Sequence, residues 1–364
     1  MVSNVYYARI SPDDEENLGN ISRLYEKLGV GKIFSKGDFV ALKLHFGEKG
    51  NPYHVKPSYV AEIAKRLSAD GFRPFLTDTT TLYKKSRADA ASHLITAYSH
   101  GFGFGNVKAP VIIADGLHGR QAAEVPIKAK HFESVKIASA IAEAEAFVCI
   151  SHFKGHPDVG FGGAIKNVGM GCGNKAGKQL MHSDLSPWID VKYCMGCGRC
   201  VRDCPAGAIS TNDKTGKAEI DTDKCWGCAD CIASCPKTAI KTRWDTESVI
   251  LQEKICEYAL GVMETKRNAS GAGAFKMVYF NFLTNITPYC DCLAKEDNVP
   301  MMPDIGILAS WDMVAIDRAS LDMVINENRG KDPFKEFNGL SSDVQLEYGE
   351  KIGLGRRDYE LITL

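Results

Sequence analysis

Residues 194–205 read CMGCGRCVRDCP and residues 225–236 read CWGCADCIASCP. Each run has the spacing C-x2-C-x2-C-x3-C-P, and nothing else in the 364 residues restricts local folding as tightly. Three thiolates separated by two residues each wrap one corner of an iron–sulfur cubane, because so short a loop turns all three sulfurs inward. The fourth cysteine opens a turn that leads away from its own loop, so it reaches the other cluster. This assigns one [4Fe–4S] cluster to Cys194, Cys197, Cys200 and Cys235, and a second to Cys225, Cys228, Cys231 and Cys204. The small residues between them, Gly196, Gly198, Gly227 and Ala229, let backbone N–H groups approach the sulfurs and tune the potential. Tetrahedral zinc uses paired C-x2-C knuckles and would leave ligands redundant in a run of four. Disulfides, the usual reading of many cysteines in a secreted chain, do not explain the pattern either.

The stretch from Trp188 to Arg243, with its internal repeat, resembles the bacterial two-cluster ferredoxins, and the resemblance implies one-electron transfer at low potential. It carries nine Lys/Arg against seven Asp/Glu. That balance lacks the strongly acidic surface of a free ferredoxin and suits a module docked on its own chain. The whole protein has a formal net charge of −1 and no block of like charge, which argues against nucleic acid or an anionic membrane as a partner. The N-terminal MVSNVYYARISPDDEENL has neither the basic nor the apolar part of a signal peptide. No apolar run approaches the roughly 20 residues that span a bilayer. A soluble, cytoplasmic protein is expected.

Outside 188–243 the pattern alternates. Apolar runs at 38–46, 72–78, 111–116, 146–153, 275–283 and 304–310 read as buried strands. Helix-like segments at 58–70, 88–100, 131–145, 247–267 and 312–328 lie among them. The expected fold is therefore α/β, a mostly parallel sheet flanked by helices, Rossmann-like and discontinuous. Its parts are residues 1–187 and 244–364, interrupted by an α+β two-cluster module at 188–243.

In such sheets ligands collect beyond the carboxyl ends of the strands. Polar residues follow nearly every strand here: His45, Glu48 and Asn51; Asp78, Thr79 and Tyr83; Asp115; then His152, Lys154, His156, Lys166 and Asn167. His152, Lys154 and His156 alternate on an extended segment, which puts all three on one face. The stretch GFGGAIKN leads from a glycine turn into a helix start, offering Gly162, Gly163, free N–H groups, Lys166 and Asn167 to an anion. It matches no nucleotide fingerprint. A strand-end Asp or Thr serves equally well as a helix cap.

The strings KLHFGEKGN, TDTTTLY, KGHPDVGFGGAIKNVGMGC, MHSD and DIGILASWDMVAIDRAS resemble the domain-of-unknown-function family 362, in its iron–sulfur-containing branch. The resemblance covers nearly all of the chain. It implies an intracellular iron–sulfur protein of a kind often found in anaerobes, with no established reaction. The His/Lys-lined crevice is also similar to that of the nickel-pincer lactate racemases, although no racemase motif matches residue by residue.

Two functions fit. In the first, two [4Fe–4S] clusters pass single electrons to a small anionic substrate or cofactor held by Lys154, Lys166 and Lys175. His45, His156 or His182 then donates a proton, oriented by Glu48 or Asp78. In the second, the chain is a non-catalytic electron-transfer or maturation partner that docks on another protein. Five cysteines remain. Cys149 and Cys256 lie in apolar segments and read as small core side chains. Cys172 sits in a glycine-rich stretch. Cys290 and Cys292, in YCDC, follow a strand; thiols at i and i+2 share a face and suit either one zinc or iron ion or a redox disulfide. Cys172, His156 or His182 would complete such a metal site.

Overall fold

The computed structural model of the protein describes residues 2–83, 85–183, 186–225, 227–267, 275–294 and 296–364. Asp184, the last residue of MHSD, lies outside them. The six apolar runs form one eight-stranded sheet together with Ser3–Arg9 and Tyr359–Thr363, two strands not expected from the sequence. Across it the order is Tyr359–Thr363, Ser3–Arg9, Gly306–Ser310, Met277–Leu283, Ala146–His152, Phe39–Lys43, Arg73–Asp78 and Val111–Ile113. The five strands from Met277–Leu283 to Val111–Ile113 are parallel. Gly306–Ser310 runs antiparallel to both its neighbours, so the sheet is mixed and mostly parallel.

Alternation along the strands divides the core into two layers. Val40, Leu42, Val148, Ile150 and Phe280 pack with Ile21, Leu24, Ile63 and Ala97 of helices Asp14–Leu28, Pro57–Ala69 and Ala90–Ser99. Ala41, Phe147, Cys149 and Tyr279 face the other way. They meet Val168, Ile255, Cys256 and Ala319 of helices Ala164–Cys172, Ser248–Thr265 and Met313–Glu327. Cys149 and Cys256 are wholly buried there as small apolar side chains.

One expected element is different. Residues 131–145 are not a single helix: Ser134–Ala138 is a strand paired with Ala122–Pro126, and only Ser139–Glu143 is helical. The stretch SVKIA buries Val135 and Ile137 on one side, a period of two that the helix-prone residues after it obscure.

The parallel strands connect in two directions. From Phe39–Lys43 the chain steps outward to Arg73–Asp78 and Val111–Ile113; from Ala146–His152 it steps the opposite way to Met277–Leu283. The switch point therefore lies between Phe39–Lys43 and Ala146–His152, where diverging connections leave a crevice beyond the strand ends. Residues 188–243 stand apart from this sheet. They hold two small ribbons, Trp188–Ile189 with Ile240–Lys241 and Ile209–Thr211 with Ala218–Ile220, and the short helices Arg199–Arg202 and Asp230–Ser234. No helix among the described residues is long and apolar enough to cross a membrane.

Helix Ala164–Cys172, which carries part of the crevice wall, rests directly on helix Ser248–Thr265. A Cβ at Gly169 would stand 2.1 Å from the Ile255 carbonyl oxygen, so the two backbones approach too closely for any side chain. Gly169→Ala is expected to cost about 1–3 kcal/mol of stability through overpacking, read by urea or thermal unfolding.

Candidate functional site

A cavity of ≈ 340 Å³ opens at the switch point. His45, Asp78, Lys154, His156, Gly162, Gly163, Lys166, Asn167, His182, Cys290 and Cys292 all line it. Glu48, Asn51, Asp115, Cys172 and Lys175, also candidates from the sequence, do not. Glu48 sits behind the wall, accepting from the Ser86 N–H at 2.9 Å, the Ser86 hydroxyl and Arg87 at 3.3 Å. Burial would raise its carboxyl, but Ser86 and Arg87 hold it below the usual value. It fixes Arg87, which does line the cavity. Lys175 points away, its ammonium donating to the Ala88 carbonyl at 2.6 Å. Cys172 ends a helix and is buried in the core, away from the cavity.

The anion site expected at the glycine turn is already filled from within. The first N–H groups of helix Ala164–Cys172, those of Ala164 and Ile165, donate to the Asp317 carboxylate at 2.7 and 2.9 Å. A Cβ at Gly163 would lie 2.3 Å from an Asp317 oxygen, so this position admits glycine because a carboxylate occupies the cradle. Lys166, one turn further along, has no hydrogen-bond or ion-pair partner among the described residues. Its neighbours Lys154, Lys43 and Arg87 are all engaged with carboxylates.

Buried charges organise the floor. Lys43, the last residue of the apolar strand Phe39–Lys43, bridges Asp78 at 2.9 Å and the Asn167 side-chain carbonyl at 2.7 Å. Asp78 also faces Arg87 and His93, each at 3.5 Å. Burial opposes ionisation of Asp78, yet Lys43 and His93 hold its carboxyl well below the usual range. Lys178, held by the Thr79 hydroxyl and the Gly173 carbonyl, is brought down by burial to about 8.

Burial and the nearby ammonium groups also act on the histidines. His156 is lowered well below its ordinary value by burial and Lys166. His182, whose ring lies 4.5 Å from Trp244, is lowered to about 3. Both are neutral rings at pH 7, so neither supplies the imidazolium proton expected from sequence. The Asp158 N–H donates to His156 Nδ1, which leaves its proton on Nε2.

The YCDC turn closes one side. Asp291 is buried and accepts from His152 Nδ1 at 2.7 Å, with Lys154 at 3.2 Å. His152 Nε2 meets the Thr284 carbonyl at 2.8 Å, so both ring nitrogens face acceptors. Cys290 and Cys292 are free thiols on either side of this anchor, and Cys292 lies 3.3 Å from His45 Nε2. Interaction with Cys290, with His45 and Arg87 beside it, holds the Cys292 thiol well below its ordinary value, while the same interaction and burial raise Cys290. Among the described residues no three His, Cys, Asp or Glu side chains are arranged to hold a single metal ion, either at Cys290 and Cys292 or among the motif cysteines of 188–243.

In residues 188–243 the motif cysteines fall into two groups. Cys194, Cys197, Cys200 and Cys235 line one small hollow. Cys228, Cys225, Cys200 and Cys204 raise the Cys231 thiol beyond the effect of burial, and Cys204 and Cys225 act likewise on Cys228. The N–H groups of Ala218, Ala208 and Ala239 point at the sulfurs of Cys194, Cys204 and Cys235 at 3.5, 3.3 and 3.3 Å. Both halves repeat one backbone form, with positive φ at Gly196 and Gly198 and again at Gly227 and Ala229. Leu82 joins the two regions. It lines the cavity and is buried in the same apolar cluster as Cys200 and Cys231.

A mixed, mostly parallel α/β sheet with a polar cavity at its switch point defines the class. The chain belongs to the family described as Domain of unknown function (DUF362), which matches residues 40–322. No curated protein matches it. Among solved structures it is similar to the lactate racemase apoprotein from Thermoanaerobacterium thermosaccharolyticum, at 11% identity and a TM-score of 0.37. The match covers 78% of this chain and 51% of that one, so the chain spans about half the racemase's length. A second likeness is to a protein from Thermotoga maritima, at 12% identity and a TM-score of 0.41, covering 87% of this chain and 59% of that one.

Sequence reasoning missed Lys43, Arg87, Lys178 and Asp291. A lysine inside the apolar run FVALKLHF was a usable signal, since a buried cation requires a partner. Removing it tests the floor. Lys43→Met is expected to destabilise the fold by about 3–5 kcal/mol, because Asp78 loses its nearest cation while buried. Asp78 has a depressed folded-state pKa. Its contribution is therefore complete above about pH 4, the ordinary carboxylate range, and is lost as pH falls through the lower folded value. The stability gap between wild type and variant should narrow on acidification, as read by urea unfolding across pH.

Proposed function

We propose that this protein is an iron–sulfur redox enzyme in which residues 188–243 hold two [4Fe–4S] clusters and the strand-end cavity holds a small anionic substrate. The observation that carries the reading is Leu82, shared between the cavity wall and the apolar packing around Cys200 and Cys231. This sharing supports reading the thiol-rich module as a neighbour of the cavity.

The spacing and neighbourhood of the motif cysteines support the clusters. Cys235 shares a hollow with Cys194, Cys197 and Cys200, and Cys204 is close to Cys228 and Cys231, the crossed arrangement that the C-x3-C-P ending calls for. Inward N–H groups from Ala208, Ala218 and Ala239 would stabilise charge on the sulfurs. When bound, such clusters supply single electrons at potentials set by those hydrogen bonds and by burial.

The chain's own residues would bind and orient the substrate. At ≈ 340 Å³ the cavity suits a small molecule. Lys166 offers an uncommitted ammonium for a carboxylate or phosphate, and Lys154 is held beside it by Asp291. Neutral His156, with its proton on Nε2, can hydrogen-bond the substrate without adding charge. Lys178, brought down to about 8, is the side chain here best matched to moving a proton near neutrality.

Anaerobic purification should yield about eight iron and eight sulfide per chain, with EPR signals on reduction. A small anion with a reducible group, such as a 2-oxo or 2-enoic carboxylate, should then re-oxidise the reduced protein as that group is reduced, and Lys166→Met should raise the concentration needed by about tenfold. If re-oxidation requires a partner protein and no small molecule supports it, the chain is a carrier and the enzyme reading is lost.

A further inference from the structure

The YCDC turn carries chemistry that the cluster reading does not use. Asp291, between the two thiols, is pinned by His152 and Lys154, so the turn is held while Cys290 and Cys292 both face the cavity. Neither sulfur is in a disulfide, and the two thiols, two residues apart on one turn, open on the same cavity. The Gly47 N–H donates to His45 Nδ1 at 3.0 Å, which places the ring proton on Nε2, 3.3 Å from the Cys292 sulfur. Cys292 thus accepts from His45, a contact that Cys290 does not make. That asymmetry separates an attacking sulfur from a resolving one. Lys166, on the same cavity wall, remains for an anionic group on whatever enters.

We propose that Cys290 and Cys292 form a reversible dithiol–disulfide couple that exchanges with a small disulfide bearing carboxylate groups. The Cys292 thiolate attacks one sulfur of the ligand; a Cys292–ligand disulfide forms, the ligand's own S–S bond breaks, and one half leaves as a thiolate. The Cys290 thiol gives its proton to that leaving thiolate and attacks the Cys292 sulfur. The Cys290–Cys292 disulfide forms and the second half leaves as a thiolate. Two cysteines are oxidised, one ligand disulfide is reduced to one thiol and one thiolate, and charge and protons balance. His45 contributes a hydrogen bond to the Cys292 sulfur and keeps its own proton. The couple needs no iron, so it stands independently of the cluster reading.

The test uses the full-length protein purified anaerobically with its metal content intact. It is mixed with dithiodipropionate, or with cystamine, whose arms carry ammonium groups instead of carboxylates. Thiols are then blocked with N-ethylmaleimide and the digest is mapped by mass spectrometry. We expect a Cys290–Cys292 disulfide, formed at least about tenfold faster with dithiodipropionate. Cys290→Ser should stop at a mixed disulfide on Cys292, and Lys166→Met should slow the dithiodipropionate reaction to the cystamine rate. The proposal is overturned if wild type forms no Cys290–Cys292 disulfide with either reagent, if the two rates are equal, or if Cys292→Ser carries the adduct on Cys290 as fast. Iron content and EPR of the same sample read the cluster proposal separately.

Discussion

The site depends on the ion pair between Lys43 and Asp78. The two residues end neighbouring parallel strands, and both are buried at the point where chain connections diverge. An isolated charge in that position would cost several kcal/mol, so each residue requires the other. Once paired, they draw in Arg87, His93 and Asn167, and through Arg87 the Glu48 carboxylate. The cavity floor is in this sense a single electrostatic object. Its outer members, Glu48 and His93, never reach the cavity but fix the side chains that do.

Most of the sheet was legible in the sequence, because strands covered on both faces must be continuous apolar runs and little else in a soluble chain looks like that. The strand-end residues were legible for a related reason: a polar side chain following such a run is carried to the sheet's carboxyl edge whatever it later contacts. His45, Asp78, His152 and Lys154 reached the cavity this way. Side-chain direction within a helix was harder to read. Lys175 and Lys178 lie on one helix, and its rotation sends the first to Ala88 and the second to Thr79.

What the sequence hid is long-range. The glycine turn at 160–163 looks like a place for an external anion, and its residues do have the required form. The carboxylate that fills it, however, arrives from Asp317, more than a hundred residues later, and no local pattern announces that. Asp291 was equally obscured, since the cysteines on either side attract the attention while the aspartate between them fixes the turn. In both places a buried carboxylate does structural work next to residues that resemble a ligand site.

Residues 188–243 leave the α/β body and return to it at nearly one point, since Trp188 pairs with Lys241 and Ile189 with Ile240. The strands Ala146–His152 and Met277–Leu283 must nevertheless meet side by side across this excursion. A flexible insertion of that length would charge the pairing a loop-closure entropy that grows with its logarithm. With its ends clasped, the inserted segment is to the sheet little more than a hairpin. The central strands can then find each other at the rate of a much shorter chain, provided that the segment has already condensed.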